Sequence, residues 1–167
     1  LAPAGDLNSF LAAVAAGADA VYLGLKHFSA RMQANNFSIT DLAAMGELAR
    51  KKDVKLYVAL NSMLKPGDLS AAGRLMDRLQ KSVSPDALIV QDLACVELAR
   101  QVGFDGELHV STLANVSNPE ALKLFPSLGV SRVVLPRELN VDEIRMMQEA
   151  CPPDLDLEVF VHGALCF

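Results

Sequence analysis

The sequence predicts an α/β fold of the (β/α)8 TIM-barrel-like type, incomplete, with about seven of the eight parallel strands present. Three observations carry this. Short β-branched runs alternate with amphipathic stretches along the whole chain. The runs are apolar through their middles, as expected of strands covered by helices on both faces. Polar residues recur at the carboxyl ends of the runs, where a barrel builds its active site from the βα loops.

Strands are predicted at Ala20–Gly24 (AVYLG), Val54–Asn61 (VKLYVALN), Ala87–Gln91 (ALIVQ), Leu108–Thr112 (LHVST), Arg132–Pro136 (RVVLP) and Leu157–Gly163 (LEVFVHG), and a stub at Leu1 and Ala2 brings the count to seven. The β, α, β order with crossovers of this length implies parallel strands and right-handed units. A complete barrel needs about 250 residues, so a chain of 167 fits one that lacks its last strand and helix.

The helices between them have legible ends. Leu7, Leu11 and Val14 share a stripe closed by Gly17. Leu69, Ala72, Met76 and Leu79 form another after the turn KPGD. Asn118 before Pro119 is a cap with proline in the first helical position, and Asn140 with Glu143 is a capping box ahead of Ile144 and Met147, ended by Pro152 and Pro153. No linker or low-complexity segment divides the chain, so residues 1–167 are read as a single domain.

Composition narrows the function classes. With 51% hydrophobic residues the chain can bury a core, and its formal charge of -5 gives no general basic footprint for nucleic acid, leaving a local groove as the route to an RNA partner. Three widely spaced cysteines suit a reducing compartment, so cytoplasm is the expectation. No apolar run approaches the ~20 residues that span a bilayer, so no membrane partner is expected. Walker, GxGxxG, HExxH, GxSxG and CxxC motifs do not occur.

The strand ends offer Asn61, Gln91 with Asp92, Ser111 with Thr112, Arg137 with Glu138, and His162. On strand alternation His109 and Ser111 share a face. The imidazole there is either a base or substrate contact, or a core histidine satisfied by a neighbouring hydroxyl. Arg137 suits a bidentate grip on a carboxylate or phosphate, with Glu138 as a proton carrier or a lock on the arginine. The long segment FSARMQANNF carries Arg31, Asn35 and Asn36 and is either functional or plain surface loop. Cys95 and Cys151 read as packing and structural residues. Cys166 follows a Gly163-Ala164 turn after the last strand, and one cysteine cannot close a metal site, so its partners would lie downstream.

LAPAGD, GADAVYLG, FSARMQANNF, HVST, RVVLPREL and above all EVFVHGALC together resemble the peptidase U32 family, the collagenase-like proteases. The resemblance covers nearly the whole chain. That family's signature begins E, any, F, two residues, G, S or A, an aliphatic, C; Glu158, Phe160, Gly163, Ala164, Leu165 and Cys166 match this first half, and its second half, with the next cysteine, is not in the chain. The resemblance implies one of two activities in the full-length protein: peptidase, or oxygen-independent hydroxylation of RNA bases or a quinone precursor with a [4Fe–4S] cluster. Cys166 corresponds to one cluster ligand, and this chain alone is not expected to assemble the cluster.

The expected function is iron-sulfur-dependent RNA base hydroxylation. His109, Glu138, Glu158 and His162 are the candidate catalytic residues, and Arg31, Asn36, Asn61, Ser111 and Arg137 the candidate substrate contacts. A peptidase acting on peptide substrates is the alternative, and a non-catalytic binding domain is the third. Cys166 with His162 as a thiol-protease dyad is disfavoured, because four residues across a turn is not a recognised arrangement.

Overall fold

The structure, a computed structural model, describes residues 1–25, 28–29 and 37–163. The described residues show repeated β/α units, the incomplete TIM-barrel-like pattern. By internal contacts the chain divides into two compact units, Leu1–Gly106 and Glu107–Phe167.

In the first unit β1 (Ala2–Ala4), β2 (Ala20–Gly24), β3 (Lys55–Leu60) and β4 (Ala87–Val90) lie side by side in sequence order. Every pairing is parallel, with Val21 opposite Leu56 and Ala59 opposite Ile89. Strand alternation gathers Ala20, Tyr57, Ala59, Ala87 and Ile89 into one buried cluster, with Tyr22 packed against it. Val21, Leu23, Leu56, Val58, Leu88 and Val90 are buried on the other face. A sheet covered on both sides explains why these strands read as continuous apolar runs.

The helices of this unit are α1 (Leu7–Ala15), α2 (Ile39–Lys51), α3 (Leu69–Ser82) and α4 (Ala94–Gln101). Asp6 caps α1 by accepting from Ser9 N at 2.7 Å, and Ser38 and Asp41 form a full capping box on α2. Leu42, Met45 and Ala49 form the buried stripe of α2; Ala72, Met76 and Leu79 form that of α3. Each large side chain so buried contributes roughly 1.5–3 kcal/mol relative to exposure.

The stripe expected on α1 is displaced. Phe10 is the buried residue of the helix and Val14 is half-buried beside it, whereas Leu7 and Leu11 are exposed. The bulkier aromatic ring takes the core position, and its i+4 neighbour follows it inward.

Two carboxylates tie the loops of this unit. Asp86 accepts from Leu56 N at 2.7 Å, before β4, and Asp92 accepts from Leu64 N and Ala94 N at 3.2 and 2.9 Å, after β4. Gly106 has no room for a side chain, since a Cβ there would meet the Phe104 ring at 2.5 Å and the carbonyl oxygens of Pro85 and Asp86 at 2.8 and 2.9 Å.

The second unit carries β5 (Glu107–Val110), β6 (Arg132–Val134) and β7 (Asp156–Glu158), again parallel and adjacent in order. Its helices are α5 (Pro119–Leu122) and α6 (Val141–Glu149). Asn118 caps α5, with Pro119 at its first position, and Asn140 with Glu143 forms the capping box of α6. The run expected as a strand to Gly163 pairs only as far as Glu158. Leu135 N donates to Glu158 O at 2.8 Å, and the chain then turns at 137–138, so β7 runs out of ladder partner.

Candidate functional site

The second unit concentrates its polar chemistry on one face of its three strands. Side chains two apart share a face, which places Glu107 with His109 on β5 and Asp156 with Glu158 on β7. Register sets His109 opposite Arg132, and Arg132 opposite Asp156.

His109 is completely buried, and its Nε2 lies 2.7 Å from Glu107 Oε2. A carboxylate partner at Nε2 assigns the proton of the neutral ring to that nitrogen. Burial is the largest influence on this imidazole and holds its pKa below the usual histidine value; the hydrogen bond to Glu107 pulls the other way, and the nearby Arg132 charge lowers it again. His109 is therefore neutral at physiological pH.

Arg132 spans β7. Its Nη2 is 3.1 Å from Asp156 Oδ2 and its Nη1 is 3.5 Å from Glu158 Oε2. Burial pushes the Glu158 carboxyl above the usual glutamate range, and Arg132 opposes that shift. Ser111, also buried, accepts from Leu113 N at 3.2 Å and so caps the turn Thr112–Ala114.

Beyond the strand ends a second arginine meets the exit of β7. The guanidinium carbon of Arg137 lies 3.9 Å from the centre of the Phe160 ring, a cation–π contact. Gly163 packs on the same guanidinium: a Cβ there would sit 3.6 Å from both terminal nitrogens. Gly163 has φ +129, a conformation open to glycine and strained for other residues. Arg137 Nε is buried and has no hydrogen-bond partner among the described residues.

The family model for peptidase family U32 matches residues 5–167. This chain belongs to peptidase family U32. It is 38% identical over 99% of its length to a "Collagenase" of Porphyromonas gingivalis, covering 42% of that protein. It is 40% identical over 99% of its length to the "23S rRNA 5-hydroxycytidine C2501 synthase" of Escherichia coli, covering 24%, and 38% identical over 99% to "tRNA hydroxylation protein P1" of Bacillus subtilis, covering 39%. The chain thus spans about a quarter to two-fifths of these relatives. Among solved structures, the U32 peptidase Mk0906 superposes with TM-score 0.74 at 16% identity over 95% of this chain and 66% of the other, a likeness of fold.

In this U32 chain the residues singled out from sequence fall into three groups. His109, Ser111, Glu158 and Arg137 sit on or directly after neighbouring strands of the second unit. Glu138 and His162 are exposed there, on the turn after β6 and the segment after β7. Asn61 belongs to the first unit, half-buried after β3. Arg31, Asn36 and Cys166 lie outside the described residues.

Glu107, Arg132 and Asp156 were not singled out from sequence. Polar residues two positions before His109 and Glu158, on strands otherwise apolar, are the signal that finds the two acids. Arg132 opens its strand, and only the pairing of three strands reveals its partners.

The one ligand that the U32 resemblance names for an iron-sulfur cluster, Cys166, lies outside the described residues. No group of three or more His, Cys, Asp or Glu that could hold a metal occurs among the described residues. Cys95 is buried, its thiol pushed up to about 12 by burial and by Asp92, and the Cys151 thiol donates to Leu155 O at 3.1 Å. Neither is a thiolate ready for a metal. No helix among the described residues is long and apolar enough to cross a membrane.

Proposed function

We propose that this chain is part of a cytoplasmic U32 enzyme that hydroxylates RNA bases, with Arg137 taking an anionic group of the RNA. The observation that carries the reading is the Arg137 guanidinium. It is held on Phe160 and Gly163 at the end of a strand, and its Nε has no protein acceptor among the described residues. A guanidinium stacked in this way can turn its terminal N–H groups to an in-plane oxyanion, the geometry in which arginine binds phosphate bidentately. The names of the rRNA- and tRNA-hydroxylation relatives support RNA as the substrate class.

The chain's own residues do the remaining work. Half-buried Glu158, held beside Arg132, is the proton acceptor of the second unit, with neutral His109 buried on β5 and with Glu138 and His162 facing solvent. In the full-length protein Cys166 would be one ligand of a [4Fe–4S] cluster, which would supply the redox chemistry of the hydroxylation.

Peptidase is the second reading, favoured by the collagenase relative. A thiol nucleophile needs a lowered pKa, and burial moves both described cysteines the other way.

Nucleoside mass spectrometry of RNA from cells with and without the gene tests the proposal. Loss of a nucleoside carrying one added oxygen is the expected result. An unchanged nucleoside profile, together with gelatin cleavage by the purified full-length protein, overturns it.

A further inference from the structure

Glu158 ends β7 opposite Val134, whereas Arg132 starts β6 opposite Asp156. The Arg132 side chain therefore runs along the sheet by one side-chain level to reach Glu158. Fixing an arginine in this way costs it rotamer freedom. A purely surface bridge rarely offsets that loss. The two legs differ: Asp156 is 71% exposed, while Arg132 and Glu158 are 21% and 22% exposed. The leg to Glu158 is the one shielded from water, so its attraction is the less screened of the two.

Arg132 is also the register partner of His109, whose ring is held by Glu107. The strand of Arg132 lies between those of His109 and Glu158, and the arginine's charge opposes the effect of burial on the Glu158 carboxyl while adding to it on the His109 imidazole. Remove the cation and the carboxyl loses the charge that opposes its burial.

We propose that Arg132 is a positioning residue that fixes the Glu158 carboxylate at the end of β7, with Asp156 as its outer anchor. Arg132 acts through Glu158 and need not touch substrate. It gives the site a carboxylate set in place before RNA arrives, which is the condition for efficient proton transfer. The inference rests on reading Glu158 as a site residue; its test does not depend on turnover.

The test is carboxyl-carbon NMR titration of full-length protein labelled at glutamate, with the Glu158 signal assigned by its loss in Glu158→Gln. In Arg132→Met the Glu158 midpoint is expected to move to higher pH. Arg132→Lys should return it most of the way to the wild-type value. Arg145→Met, which breaks an exposed pair with Asp142 on α6, should leave it in place. Arg132→Gln, similar in reach and uncharged, carries the same test if Arg132→Met does not fold. A folded, uncharged variant with an unmoved Glu158 titration overturns the proposal, whether or not the protein modifies RNA.

Discussion

Arg137 and Phe160 are joined across the gap between the end of β6 and the exit of β7, with the guanidinium carbon 3.9 Å from the ring centre. The contact links the segment PREL to the segment EVFVHG, two stretches of the U32 resemblance. Cation–π pairs contribute about 0.5–2 kcal/mol, more as water is excluded. A double-mutant cycle with Arg137→Met and Phe160→Leu, read by urea denaturation, should give a coupling within that range. Additive losses would show that the stacking contributes nothing.

A side chain at Gly163 should strain the backbone. Its φ of +129 is disfavoured for an L residue, at a cost of order 1–3 kcal/mol, and its neighbour is the Arg137 guanidinium. Gly163→Ala should raise hydrogen exchange at Phe160 and Val161 while leaving α3 and α4 unchanged. Unaltered exchange at 160–161 would contradict this.

Gly106 supplies a control in the first unit. A methyl group there collides with two backbone carbonyl oxygens and the Phe104 ring, and overpacking typically costs about 1–3 kcal/mol. Gly106→Ala should lower the unfolding free energy by that amount, measured by urea denaturation, without shifting the Glu158 titration.

His109 should make stability depend on pH with a definite sign. Its pKa is lowered on folding, so the unfolded chain binds the proton more readily. Stability must then rise with pH between the folded value and the unfolded value near 6.5, and fall as the solution is acidified through that window. Glu158 shifts upward and contributes with the opposite sign from about 4.5 up to its raised value. The difference between wild type and His109→Gln isolates the histidine. Wild type should lose stability relative to the variant as pH drops below about 6.5, measured by urea denaturation at fixed ionic strength.

Much of the fold was legible because strands covered on both faces must be apolar throughout. Ala20–Gly24 begins and ends where the alternation of composition places it, and the caps at Asn118 and Asn140 use the donors that their spacing implies. Periodicity alone could not choose between Phe10 and its neighbours Leu7 and Leu11, because all three lie within one broad stripe and only packing selects the innermost. Nor could it end β7, since a strand stops where its partner turns away. The polar array was half legible: His109 and Glu158 stand out in apolar runs, but their partners Glu107, Arg132 and Asp156 acquire meaning only from the register of three strands.

The most direct measurement is RNA nucleoside analysis in cells lacking the gene and complemented with wild type, Arg137→Lys or Arg137→Met. Wild type is predicted to restore the hydroxylated nucleoside, Arg137→Lys to restore it in part because it keeps the charge without the planar fork, and Arg137→Met to leave it absent at equal protein levels. Full restoration by Arg137→Met would contradict the assignment of this arginine to the RNA.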